Sequence, residues 1–280
     1  APPGKPVIVK VSGWWELEQG ILAPTASPLA RLARRALQKA SAVQAISQRI
    51  AAELIRQRFD RARIVALPNA VDTRRFAPRP YREPVDATLH AIFVGRLVRE
   101  KGLSTLLEAW AAAFGSSATM RLRLIGGGSL EAELRERAQA LGIGAAVDFL
   151  GHREDIQDLI HASDIGVLPS VIEGLSNTLL ECMACGLPVI ASRISGSEDF
   201  VAPGRNGWLF PAGDVAALAA CLREAAGMSA TRRREIGFEA RQTVLANASL
   251  DSVVDRLIAL YRGAAPSSIA LPVSALAFRS

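Results

Sequence analysis

From residue 89 to residue 191, short apolar runs alternate with longer stretches in which apolar positions recur every three or four residues. The short runs predict strands at Leu89–Val94, Arg121–Ile125, Val147–Leu150, Ile165–Leu168 and Pro188–Ala191, with one more near Trp208–Phe210. The longer stretches predict helices at Leu103–Phe114, Leu130–Leu141, Ile156–His161 and Leu175–Cys185. Strand and helix in strict alternation imply an α/β unit, a doubly wound parallel sheet with helices on both faces. Three further helices are predicted at Val215–Ala226, Ala230–Ala246 and Leu250–Tyr261, and Ala264–Ser280 has no clear place in the fold.

The first 72 residues repeat the pattern in a shorter form. A strand is predicted at Pro6–Ser12, then a loop holding Trp14 and Trp15, a helix at Leu29–Lys39, strands at Ala42–Ile46 and Arg63–Leu67, and between them a helix that Ser47 caps and that runs to about Phe59. Arg31, Arg34, Arg35 and Lys39 form one basic face, read first as a solvated face and second as a membrane surface. Pro68-Asn69-Ala70-Val71-Asp72 and the prolines at 78, 80 and 84 interrupt the periodicity. The expected organisation is therefore an incomplete first unit with its linker (1–72), a main unit (73–262) and a tail (263–280).

Composition narrows the classes. With 280 residues, 50% of them hydrophobic, the chain can bury a sizeable core. The net charge of +6 suits phosphates or an anionic membrane, so peripheral association at the inner face of a membrane is an expectation. Aromatics make up 5% of the chain and no basic run interleaves with them, which argues against nucleic acid. Three cysteines build no disulfide framework, so the expected location is cytoplasmic. Cys182 and Cys185 form a CxxC inside an apolar helical run, which reads as core and not as a redox or zinc motif. No signal peptide is visible in the opening Ala1-Pro2-Pro3-Gly4, and no apolar run approaches the ~20 residues of a spanning helix.

Three segments follow predicted strands, where such a sheet binds ligands. In Gly95-Arg96-Leu97 with Lys101-Gly102, glycine admits a close backbone approach, arginine can fork onto oxygens and lysine adds a point charge, a set suited to a diphosphate. Gly126-Gly127-Gly128-Ser129 matches neither GxGxxG nor a Walker loop, and reads as a tight turn beside the ligand. In the third, Glu173 ends a loop and Gly174, Leu175, Ser176, Asn177 and Thr178 open a helix. Their free N–H groups would face an anion, and Glu181 lies two turns in. On this reading Glu173 accepts from sugar hydroxyls and Glu181 from a ribose.

Taken in order, these motifs resemble the family 4 retaining glycosyltransferases. The resemblance rests on the Gly95 and Gly126 loops, Asp164 to Pro169-Ser170, the Glu-x7-Glu of Glu173 and Glu181, Gly186-Leu187-Pro188-Val189-Ile190, and Asn206-Gly207 to Pro211, with Ser47, Pro68 to Asp72 and Phe76 upstream. It covers roughly Ser41 to Tyr261. It implies a GT-B fold, two facing Rossmann-like domains, with the second binding a UDP-sugar or GDP-sugar and the first facing the acceptor. Arg96 and Lys101 would hold the diphosphate, Glu181 the ribose, and Glu173 with Gly95 and the Gly174 to Thr178 amides the sugar and phosphate. Transfer to a glycan, lipid or small-molecule acceptor would retain the anomeric configuration, without cofactor or metal. The chain has no Asp-x-Asp pair.

Two departures are visible. Ala70 stands where the family usually has glycine. The first domain is also shorter than the family's by about a hundred residues, hard to complete without its first strands, which implies a truncated enzyme. The main rival is a nucleotide-sugar-binding remnant or subunit completed by a separate partner. An epimerase or a pyridoxal-phosphate phosphorylase fits less well, since no acid/base pair and no well-placed lysine is visible. None of the three histidines replaces the one that the family commonly has near the reaction centre: His90 is expected on a strand and His161 in a structural role, and for His152, which follows a strand, an approach to the base is the minority reading.

Overall fold

The structure, a computed structural model, describes residues 6–23, 27–79 and 88–263. The opening residues, Pro80, Pro84 and the tail from 264 onward lie outside them. Near the N-terminus, β1 (Ile8–Val11), β2 (Ala42–Ala45) and β3 (Ile64–Ala66) pair in parallel in the order β1-β2-β3. Six further strands, β4 (Leu89–Val94), β5 (Met120–Ile125), β6 (Val147–Gly151), β7 (Ile165–Leu168), β8 (Val189–Ser192) and β9 (Gly207–Phe210), form a second sheet. All its pairings are parallel and the order is β6-β5-β4-β7-β8-β9. The strand order reverses at β4 and β7, so a ligand crevice is expected beyond their carboxyl ends.

The helices are α1 (Trp14–Glu18), α2 (Pro28–Leu37), α3 (Gln48–Arg56), α4 (Leu103–Phe114), α5 (Glu131–Ala140), α6 (Ile156–His161), α7 (Asn177–Ala184), α8 (Ser197–Phe200), α9 (Val215–Gly227), α10 (Ala230–Asn247) and α11 (Leu250–Tyr261). Helix α4 buries Leu103, Leu106, Leu107 and Trp110, an i, i+3, i+4, i+7 stripe, in one core with residues of α5 and α9. On the opposite face α7 and α10 pack together. The core on that side also holds Val11, Val43, Ile46, Ile50 and Leu54, so apolar packing is continuous from the large sheet to the small one.

Helix α11 ends the stretch expected to form the main unit, yet it packs on the small sheet, where Val253 and Leu260 meet Ala42, Val65 and Leu67. The crossing is fixed by Val71, whose N–H donates to Ala248 O at 2.9 Å and whose carbonyl accepts from Leu250 N at 2.9 Å. The neighbouring Ala70 packs beside this group, and among the described non-glycine residues only Arg58 has a positive φ. The missing glycine therefore leaves no backbone strain at 70.

Two short elements depart from the expected pattern. The Trp14-Trp15 loop is one turn of helix, because Glu16 Oε1 accepts from Ser12 N and Oγ (3.2 and 2.8 Å) while Leu17 is buried. The turn α8 was not foreseen, being too short for a period to register. Strand β8 starts after Pro188, which has no N–H for the ladder.

Candidate active site

The loops after β4 and β7 lie against one another. Val171 N donates to Glu100 O (2.8 Å), and Gly102 adopts φ 65°, a left-handed conformation suited to glycine. A β-carbon at Gly102 would collide with the carbonyl oxygen of Pro169. This close approach brings Lys101 to Glu173: Nζ donates to Oε1 at 2.6 Å, both side chains less than one-fifth exposed. Gly95 N donates to Ile125 O and Leu97 N to Gly127 O, each at 2.9 Å, so the Gly126 to Gly128 turn braces the Gly95 loop from the β5 side. The Arg96 side chain is exposed and pairs with no described residue.

Helix α7 begins at Asn177, two residues later than the pattern suggests. Ser176 is its N-cap: its Oγ accepts from Leu179 N (3.4 Å), and an N-cap residue has extended, not helical, torsions. Residues 174 to 176 therefore form a buried lead-in outside the helix. Among the described residues, none accepts a hydrogen bond from the N–H groups of 174 to 178. Buried backbone donors of this kind are rare unless a ligand or water takes them. Thr178 Oγ1 donates to Val94 O (3.2 Å), which seats the helix start directly beside the end of β4.

Glu181 is half-buried, one turn into the helix. Burial pushes its carboxyl above the usual carboxylate range, opposed by the positive charge of Arg75. Burial likewise raises the Cys182 thiol and pushes Cys185 up to about 12, so both behave as core groups. His90 lies on β4; His161 Nε2 lies 2.7 Å from Ala77 O, a contact that fastens α6 to the linker; His152 is exposed after the edge strand β6.

The small sheet faces this crevice through four residues that sequence reasoning passed over or read as merely local. Ser12 O, beyond β1, lies so close to Gly174 that a β-carbon there would strike it. Asn69 Nδ2 donates to Leu175 O (3.2 Å) and Asn177 Oδ1 (3.0 Å), and its own Oδ1 accepts from Lys10 Nζ (3.0 Å). Ser47 caps α3 as expected, and its Oγ also lies 2.6 Å from Ser195 Oγ. The N–H of Gln48 donates to Asp199 Oδ2 (2.8 Å), and burial pushes that carboxyl up to about 6 despite the bond. Only the Asn69 motif and the Ser47 cap carried any signal in the sequence; Ser195 and Asp199 carried none.

The family description "Glycosyl transferases group 1" matches residues 88–227, half of the chain, and "Glycosyl transferase 4-like domain" matches residues 1–70. The chain belongs to the group 1 glycosyl transferases. Among relatives, it is 30% identical over 177 residues to the lipopolysaccharide core biosynthesis glycosyltransferase LpsE of Rhizobium meliloti, covering 63% of this chain and 50% of LpsE. It is 30% identical over 242 residues to the 2-deoxystreptamine N-acetyl-D-glucosaminyltransferase of Streptomyces fradiae, covering 82% of this chain and 57% of that enzyme. The fold matches that of Anabaena HepE, solved in complex with UDP and glucose, with a TM-score of 0.77 at 22% identity, covering 92% of this chain and 71% of HepE. This group 1 chain spans about half the length of the curated relatives it matches.

Proposed function

We propose that this group 1 glycosyl transferase moves a sugar from a nucleoside diphosphate sugar to a glycan, lipid or small-molecule acceptor, with retention at the anomeric carbon. The observation that carries the reading is the convergence of Lys101, Glu173 and the unpartnered 174 to 178 amides at the point where the strand order reverses. Support comes from HepE, solved with UDP and glucose, and from LpsE, whose name places it in lipopolysaccharide core biosynthesis.

In this scheme residues 73–262 supply the donor site and the small sheet the acceptor side. The diphosphate lies against the amides of Gly174 to Thr178, with Gly95 giving its backbone room to approach. Arg96 and Lys101 neutralise the charge that grows on the departing diphosphate, a donor set fixed before the reaction begins. As Lys101 turns to phosphate, Glu173 becomes free to accept from sugar hydroxyls, and Glu181 accepts from the ribose. No cofactor or metal takes part.

Calorimetry with UDP, GDP and their hexose conjugates, beside a product assay that reads anomeric configuration, tests this. Binding of a nucleotide sugar followed by transfer with retention is the expected result. Failure to bind either nucleotide overturns it, and binding without transfer, even with an N-terminal partner added, marks a nucleotide-sugar-binding module instead.

A further inference from the structure

Leu175 stands one place before the N-cap Ser176, so no helix bond fixes the direction of its carbonyl. Packing holds the neighbouring residue tightly: a β-carbon at Gly196 would strike Gly174 O, and one at Gly174 would strike Ser12 O. The lead-in is thus wedged between the turn before α8 and the small sheet. What turns the Leu175 carbonyl is Asn69, whose Nδ2 donates to it at 3.2 Å. In a trans peptide the carbonyl and the following N–H point in opposite directions. With Leu175 O drawn to the linker, Ser176 N–H points away from it, and it is one of the 174 to 178 amides that no described residue accepts from.

The side-chain amide of Asn69 is itself held in one orientation. Both hydrogens of Nδ2 are used, one on Leu175 O and one on Asn177 Oδ1 (3.0 Å), and Oδ1 accepts from Lys10 Nζ (3.0 Å). An ammonium group only donates. A flipped Asn69 would therefore set its NH2 against another donor and offer an oxygen to the Leu175 carbonyl. Lys10 lies on β1 and Asn69 in the linker, 59 residues on, while Leu175 is a further 106 residues along the chain. Two side chains thus carry the position of β1 to a single peptide of the crevice.

We infer that Asn69 is a positioning residue for the donor: locked by Lys10, it aims the 175–176 peptide so that Ser176 N–H meets the diphosphate, a role that rests on the reading of the crevice as a nucleoside diphosphate site. Asn69 touches no reacting atom in this scheme and acts through the Leu175 carbonyl. The consequence is a direct hold of the acceptor-side sheet on the donor site, since a displacement of β1 reaches the Ser176 amide through Lys10 and Asn69.

Calorimetry of the 280-residue chain with inorganic pyrophosphate, and with UDP and GDP, tests it. Asn69→Leu keeps the size and charge of the side chain and removes its three hydrogen bonds. It should weaken pyrophosphate binding by roughly tenfold or more, the worth of one hydrogen bond to a charged group. Lys10→Arg, which also only donates, should bind as the wild type does. Lys10→Glu, which accepts where lysine donates, should reverse the Asn69 amide and lose as much as Asn69→Leu, even at high salt where the altered charge is screened. The two Lys10 variants decide the question should Asn69→Leu not fold. Ser47→Ala is the control: it cuts the bond to Ser195 at the same junction and leaves the lead-in alone, so pyrophosphate affinity should hold. Unchanged affinity in Asn69→Leu, an equal loss in Ser47→Ala, or equal losses in Lys10→Arg and Lys10→Glu overturn the role of Asn69 and leave the diphosphate site standing. A wild-type chain that binds neither pyrophosphate nor a nucleoside diphosphate overturns the site, and the role of Asn69 with it.

Discussion

Lys101 and Glu173 form an ion pair, Nζ 2.6 Å from Oε1, between the loops that follow β4 and β7. Its partners come from strands adjacent in space but about seventy residues apart in sequence, and the proposed reaction requires the pair to exchange partners. Arg96→Ala or Lys101→Ala should each lower turnover by roughly 10²-fold, the typical cost of losing one preorganised donor. Combining Lys101→Ala with Glu173→Gln separates two explanations. If Lys101 serves the diphosphate, the double variant is at least as slow as Lys101→Ala in a steady-state assay; recovery above the single variant would show that Lys101 only neutralises Glu173.

Glu181 is assigned to the ribose and not to the phosphates. Glu181→Ala should therefore weaken binding of a nucleoside diphosphate by roughly tenfold, the effect of one or two hydrogen bonds to a charged group, and leave inorganic pyrophosphate binding unchanged. Calorimetry with the two ligands makes the comparison, and equal losses would remove Glu181 from the ribose.

Gly102 combines a φ of 65° with a backbone so near Pro169 that no side chain fits. Gly102→Ala should cost ~1–3 kcal/mol for the left-handed conformation alone, and the collision adds to that. A thermal midpoint lowered by roughly 5 °C or more is expected for a chain this long. Gly174→Ala acts differently, because its collision is with Ser12 O on the small sheet. It should loosen the junction between the two sheets, read as faster hydrogen exchange at Gln48, whose N–H bonds Asp199.

The Asp199 carboxyl titrates at about 6 in the fold against an ordinary value of 3.8. A raised carboxylate stabilises the fold below its unfolded value and loses that contribution as pH climbs through the folded one. From pH 4 to 7 this group should cost about 2 kcal/mol. Asp199→Asn removes that ionisation. The stability gap between variant and wild type should grow in the variant's favour across this window in urea titrations, and a flat gap would mean that Asp199 ionises without penalty.

Much of the larger sheet was legible from periodicity. Leu89–Val94, Leu103–Phe114, Ile156–His161 and Ile165–Leu168 have the bounds read from the sequence, because each is a run whose burial sets the period on its own. Glu173 and Lys101 could be nominated from their places after strands, since a doubly wound topology puts such loops on one edge.

What the chain order alone could not convey is where distant segments meet. α11 covers the small sheet, Arg34 turns inward from its basic neighbours, and Ser195 and Asp199 dock against α3; each depends on contacts between segments far apart in the chain, and periodicity carries no trace of them. The sequence by itself determined strands, helices and the residue types at the crevice, because local propensity and hydrophobic spacing are properties of neighbouring residues. Only the tertiary structure decided which of those residues touch, which helix face stays in water and which carboxylate is buried, because burial and pairing are set by the packed whole.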